Sequence, residues 1–423
     1  HAKNQFTCHP NCIFQSAHIL AKHLMQISSK NKEINFDNYQ FFEEDLDPTQ
    51  RAWIEVNGIA IEKNVRQLRS RLKKNCQLMA VVKADGYGHD ARVVSEYAIK
   101  GGASQLGVAT LNEGIKLRSF GINKPILVLG NLYTKKDLLI CFKNNLMPTI
   151  SSISECLICN DIGKNHSSKF ALHLKVDTGM SRLGLECDQF IKSFNTIKSF
   201  ENICIKGIYS HLASADESNA LDPKSNTQLQ RKKFQELLKQ INIDKNSQIK
   251  VHLANSAGML LSEDFHFDMV RVGLSIYGYN PLAKIEDNLF LKPALYLKAK
   301  VAFIRTIETG VGVSYGSKFV SIRKTKLAVL SIGYADGILR NLSGKINVIH
   351  NKKLYPQIGS ITMDQMMVDI TDSNDITIGS TMLLLGSDGD ETISPIDWAN
   401  KSKTIPWEIL CSFKNRLPRV QVN

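Results

Sequence analysis

Long hydrophobic runs are missing from this chain of 423 residues. No apolar stretch approaches the roughly 20 residues of a membrane-spanning helix. No apolar core followed by a small-residue cleavage site marks a secretory leader. A cytoplasmic protein with no membrane partner is expected. Ordered cysteine spacing is missing as well: the nine cysteines are an odd number and scattered. That fits a reducing compartment better than a disulfide scaffold. Cys156 and Cys159 form a lone C-x-x-C without a second pair, and Cys8, His9, Cys12 and His18 lack finger spacing, so no metal is expected. The net charge is +13, but no basic stripe with interleaved aromatics accompanies it. A lysine-rich solvated surface is the reading, with no nucleic-acid partner. Acidic residues are absent before Glu33, and residues 1–48 are read as a terminal extension of unknown role.

What is present is an ordinary globular composition, 43% hydrophobic and 22% charged, long enough for two domains. From about Arg51 short apolar runs alternate with amphipathic stretches. The runs are QLMAVVKAD, ASQLGVAT, KPILVLG, MPTISS, FALHLKVDTG, IKGIYSHL, IKVHLANSAG and DMVRVGLSIYG. ARVVSEYAIK, KKDLLICFK and QLQRKKFQELLKQI are clear helical segments between them. Continuous apolar strands separated by amphipathic helices indicate a parallel sheet covered on both faces, and eight of them match a barrel. After about Leu291 the texture becomes short β-prone runs with Gly, Asn and Asp turns, and helices are nearly absent until SPIDWANK. The expected fold class is α/β: an N-terminal (β/α)8 TIM-like barrel over 49–290 followed by a C-terminal all-β domain over 291–423.

A barrel collects its chemistry at the C-terminal ends of its strands. Those ends carry Lys83, then Lys175, Asp177 and Arg182, then His211, then Asn255 and Ser256, then Arg271 followed by Gly273. One Lys after another, with His and two Arg, suits an anionic, carbonyl-type cofactor. A lysine held against apolar surface loses solvation and becomes a nucleophile for an aldehyde. A Schiff base with pyridoxal 5'-phosphate (PLP) has that requirement. Taken alone, Lys83 is equally well a strand-end lysine reaching to solvent.

VVKADGYGHD resembles the PLP-attachment signature of the alanine racemase family. KVDTGMSRLG, SHLASADE, HLANSAG, VRVGLSIYG, VSYGSKF, SIGYADG and TMDQMM resemble further blocks of that family in the same order, from Arg51 to the end. The resemblance implies interconversion of L-alanine and D-alanine, and supply of D-alanine for peptidoglycan. It implies that Lys83 carries PLP and that Tyr87, Ser256, Gly273 and Leu274 hold its phosphate. Arg271 would face the pyridine nitrogen, with His211 orienting it. Arg182 would hold the substrate carboxylate, and Lys175 would support Arg182, as a carbamate in some members. A second acid/base, Tyr315, would come from the partner subunit of a homodimer with shared active sites, together with Met363, Asp364 and Tyr334. The family places a tyrosine where this chain has Trp407 in IPWEIL, and that departure bears on the phosphate contact and pocket width. Two other readings share the barrel. A PLP-dependent amino-acid decarboxylase would bring a Gly-rich phosphate loop that is not seen, and a non-catalytic PLP-binding protein would resemble only the barrel half.

Overall fold

The computed structural model describes residues 47–243, 248–282 and 289–423. The possible ligands Cys8, His9, Cys12 and His18, and the extension as a whole up to residue 46, lie outside the described residues. Eight parallel strands run Gln77–Val81, Gln105–Val108, Ile126–Asn131, Met147–Ile150, Phe170–Asp177, Ile203–Tyr209, Lys250–His252 and Met269–Val272. Each pairs with the next, and the eighth returns to the first, Arg271 opposite Met79. The ring is therefore a closed TIM-like barrel, one strand for each apolar run in the sequence. Met147–Ile150 and Met269–Val272 are buried along their whole length, as expected for strands covered on both faces. Met79, Leu127, Met147, Tyr209 and Met269 fill the interior as a cluster of their own.

The helices start where short polar side chains receive backbone donors. Thr110, Thr134, Ser152 and Ser225 each accept from the third residue of the following helix. The helices Ala91–Lys100 and Lys135–Lys143 coincide with the amphipathic segments of the sequence. Helices over Gly58–Ser70 and Ile153–Asn165 were not among the clear periodic stretches.

The second region is a nine-stranded sheet whose longest strand is Leu295–Ile307. Two features depart from the expectation. The segment Ala52–Asn57, grouped with the barrel by its position, pairs antiparallel with Leu295–Ile307 and parallel with Arg419–Val422 in the strand-rich sheet. Its alternation of apolar side chains is satisfied by either sheet, and only long-range pairing decides. The domain is also not wholly β: Pro395–Ser402 is the helix foreseen in SPIDWANK, but a second helix, Pro406–Ser412, follows it. Seven residues with a proline at the start were too short for a periodic signal. This second helix packs on the turn after Lys83, where a Cβ on Gly88 would run into the Leu410 carbonyl oxygen.

Candidate active site

One cavity of about 650 Å³ opens at the C-terminal mouth of the barrel. Lys83, Tyr87, Lys175, Arg182, His211, Ser256, Arg271, Gly273, Leu274 and Trp407 all line it. These residues come from five strand ends and one helix of the other domain, so closure of the barrel is what brings the strand-end groups together.

Arg271 is buried at the centre of a fixed network. Its Nη1 donates to His252 Nδ1 at 3.0 Å, and its Nη2 to His211 Nδ1 at 3.0 Å and to the Ser210 carbonyl at 2.8 Å. Since a guanidinium only donates, both imidazoles accept at Nδ1 and carry their proton on Nε2. His252 Nε2 then donates to His173 Nδ1 at 2.9 Å. Burial and the neighbouring Arg271 hold His211 and His252 far below the usual histidine range, and His173 is pushed down to about 3. Three neutral rings thus surround one cation. Burial lowers Arg271 itself to about 10, which leaves it charged at neutral pH.

Tyr87, Ser256 and Gly273 form a second group. Ser256 Oγ accepts from the Gly273 N–H at 2.9 Å. A Cβ on Gly273 would lie 2.5 Å from the Tyr87 hydroxyl oxygen, so the approach of that hydroxyl to the backbone requires glycine. Burial pushes the Tyr87 phenol up, keeping it a donor. Its ring stacks on Tyr277 at 4.8 Å.

Lys175 is buried, its Nζ 5.4 Å from the centre of the Tyr209 ring. Burial first, then Arg271 and Arg182, push its ammonium down to about 8. Asp177, at the end of the same strand, turns away from this chemistry. Burial raises its carboxyl, but N–H bonds from Gly179, Met180 and Ser181 outweigh that and hold it low, fixing the loop that carries Arg182.

The remaining predicted residues do not reach this cavity from their own chain. Tyr315 is 71% exposed beside a separate hollow lined by Thr362 and Gln365. Met363 and Tyr334 are exposed too, in turns joined by the bonds Tyr334 N to Thr362 O and Ala335 N to Met363 O. Asp364 accepts from Arg416 at 2.8 Å. Cys156 and Cys159 lie on the buried face of a helix, with burial raising both thiols. Among the described residues no group of three His, Cys, Asp or Glu is arranged to hold a metal.

Sequence reasoning passed over Glu113, Tyr209, Asp216 and Cys411 in the cavity wall, and His173 and His252 behind Arg271. Glu113 carried a local signal, the T-x-x-E pattern of a capping box with Thr110. His173 sits mid-strand and His252 closes a three-residue strand, and among apolar neighbours both read as core.

Residues 56–281 match the N-terminal domain of alanine racemase, and residues 294–421 the C-terminal domain. The alanine racemase of Prochlorococcus marinus is 52% identical over 377 residues, 89% of this chain and 97% of that protein. That of a Nostoc species is 44% identical, covering 91% of this chain and 98% of its own. Among solved structures, the alanine racemase of Streptomyces coelicolor superposes with a TM-score of 0.82 at 30% identity, covering 89% of this chain and 99% of its own. The Bartonella henselae alanine racemase, solved with covalently bound pyridoxal phosphate, gives 0.78 at 31% identity and covers 88% and 99%. The chain belongs to the alanine racemase family of isomerases.

Proposed function

We propose that this chain interconverts L-alanine and D-alanine with PLP held on Lys83, by a two-base mechanism shared between the subunits of a homodimer. The observation that carries the reading is the convergence of Lys83, Arg271 and the Tyr87–Ser256–Gly273 group on one cavity. The donor chemistry fits the cofactor: a primary amine for its aldehyde, hydroxyl and N–H groups for its phosphate, and a guanidinium for its ring nitrogen. The neighbour from Bartonella, with its covalently bound pyridoxal phosphate, supports the same assignment.

Bound there, PLP would supply an electron sink that acidifies the α-carbon of alanine. Arg271 donates and does not release its proton, so a ring nitrogen facing it stays unprotonated and the sink is weak. That favours proton return over transamination. Tyr87, Ser256, Gly273 and Leu274 would hold the phosphate, with Trp407 closing the wall. Arg182 would hold the substrate carboxylate with the partner's Met363. Lys83 Nζ would exchange the α-proton on the face that gives D-alanine, and the partner's Tyr315 hydroxyl on the face that gives L-alanine. Tyr315 would act as the base with cations such as Arg182 beside it. The exposure of Tyr315, Tyr334 and Met363 in their own chain supports a site completed across a two-fold interface.

Lys175 would carry a carbamate. Its amine, lowered to about 8, is partly neutral at neutral pH and open to CO2, and the carbamate's negative charge would offset Arg182. A mass increment of one CO2 on Lys175 checks this. The D-alanine formed would supply peptidoglycan in the cytoplasm, a setting that the free cysteines fit.

The deciding experiment incubates the purified protein with PLP and L-alanine and resolves the enantiomers, then repeats it from D-alanine. Racemisation in both directions establishes the reading. A protein that binds PLP yet leaves both enantiomers unchanged contradicts it.

A further inference from the structure

Lys83 is followed by a run of left-handed backbone. Ala84, Asp85, Gly86, Tyr87 and Gly88 have φ of 52°, 53°, 63°, 51° and 77°. Only two of the five are glycine. For the other three this conformation is strained, so something outside the run must hold it.

The holding group at its first residue is Glu113, on the helix Leu111–Ser119 after the second barrel strand. One carboxylate oxygen accepts the Ala84 N–H at 2.7 Å. The other accepts the Ala109 and Thr110 N–H groups at 2.7 and 3.1 Å. The carboxylate therefore bridges the backbone beside Lys83 to the next strand end, and it stands in the cavity wall. We propose that Glu113 is a positioning residue for Lys83: its carboxylate holds the left-handed turn that aims the lysine amine into the active site. This rests on Lys83 being the acting lysine, but the turn itself does not.

The bridge needs two accepting oxygens. A carboxamide has one, so Glu113→Gln turns an NH2 group toward an N–H donor on one side or the other. Thr110→Val separates this role from simple helix capping. It removes the hydroxyl that accepts the Glu113 N–H at 3.3 Å and leaves the carboxylate bridge intact. Ala84→Gly supplies the rescue. Ala84 is exposed, so losing its methyl leaves no cavity, and glycine adopts positive φ without strain.

The test is made on the holoenzyme, with kcat, KM and hydrogen exchange at the Ala84 amide. In Glu113→Gln, kcat falls about tenfold to a hundredfold while KM moves little, the size of effect expected when a reacting group is misplaced. Ala84 exchange rises in the same variant. Adding Ala84→Gly restores kcat several-fold. Thr110→Val lowers the melting temperature but leaves kcat and Ala84 exchange near wild type. The proposal is overturned if Thr110→Val and Glu113→Gln lose activity equally, or if Ala84→Gly rescues nothing. The two levels fail differently. An active Lys83→Ala enzyme removes the lysine's role, whereas Ala84 exchange that ignores Glu113 removes the clamp.

Discussion

The barrel mouth and the strand-rich domain treat a buried charge differently. The barrel mouth buries Arg271 and Lys175 and surrounds them with imidazoles held neutral by burial. The strand-rich domain neutralises its buried Asp336 with Arg51 at 2.7 Å, keeps pairs such as Arg323–Asp372 at the surface, and presents Tyr315 and Met363 outward without enclosing them. Burial sets protonation states, so the neutral imidazoles and the lowered Lys175 ammonium are found in the barrel mouth. Groups that serve a neighbouring molecule belong where they are exposed. On the function proposed above, one chain would supply the cofactor cradle and only one member of the acid/base pair.

The largest expected effect breaks the barrel side. Lys83→Ala lowers racemisation in both directions by more than about a thousandfold, measured by enantiomer-resolved assay. Tyr315→Phe comes next, with a loss of about a hundredfold or more while PLP stays bound. Mixing the two inactive homodimers sharpens the comparison. If Tyr315 serves the partner, exchange of subunits recovers up to about a quarter of wild-type activity, because half the dimers are hybrid and each holds one complete site. No recovery would place both bases in one chain.

A third prediction concerns acid. His89 and His173 are held at about 4 and about 3 in the folded protein, against 6.5 unfolded. Between those values the unfolded chain binds more protons, so the stability these groups allow is complete above about pH 6.5 and falls as pH drops toward 3. Each imidazole contributes a slope of about 1.4 kcal/mol per pH unit in that window. Denaturant titrations from pH 6.5 to 4 should show His173→Gln flattening the slope by about one proton, whereas Asp372→Asn, at an exposed pair, leaves it unchanged. Equal slopes in the wild type and His173→Gln would remove the contrast between the two regions.

The smallest effect is at the seam between them. Trp407→Tyr should tighten PLP by about twofold to tenfold, the worth of one better-placed hydrogen bond, with kcat preserved. Cofactor dissociation followed by absorbance reads this directly, and an unchanged rate would mean the indole already serves as well.

Much of this site was legible in the chain because barrel geometry converts strand ends into neighbours. Lys83, Lys175, Arg182, His211, Ser256 and Arg271 each close an apolar run or follow it within a few residues, and all meet in one cavity. His252 and His173 were not legible as Arg271's support. One lies inside its strand and the other at the end of a three-residue strand, and nothing local signals that the two imidazoles will meet past the strand between them. The strand Ala52–Asn57 misled for a similar reason, since alternation shows that a strand has a buried face but not which sheet it joins.

The sequence by itself determined the period of the strands and helices, the order of the chemistry-bearing ends and the presence of two textures, because these are local properties of side chains along a chain. The tertiary structure alone decided which imidazoles are neutral, that the Glu113 carboxylate bonds the backbone beside Lys83, and that Tyr315 stands exposed outside the cavity of its own barrel. Those depend on what surrounds a group in space, and burial, charge and hydrogen bonds act across distances that sequence separation does not record.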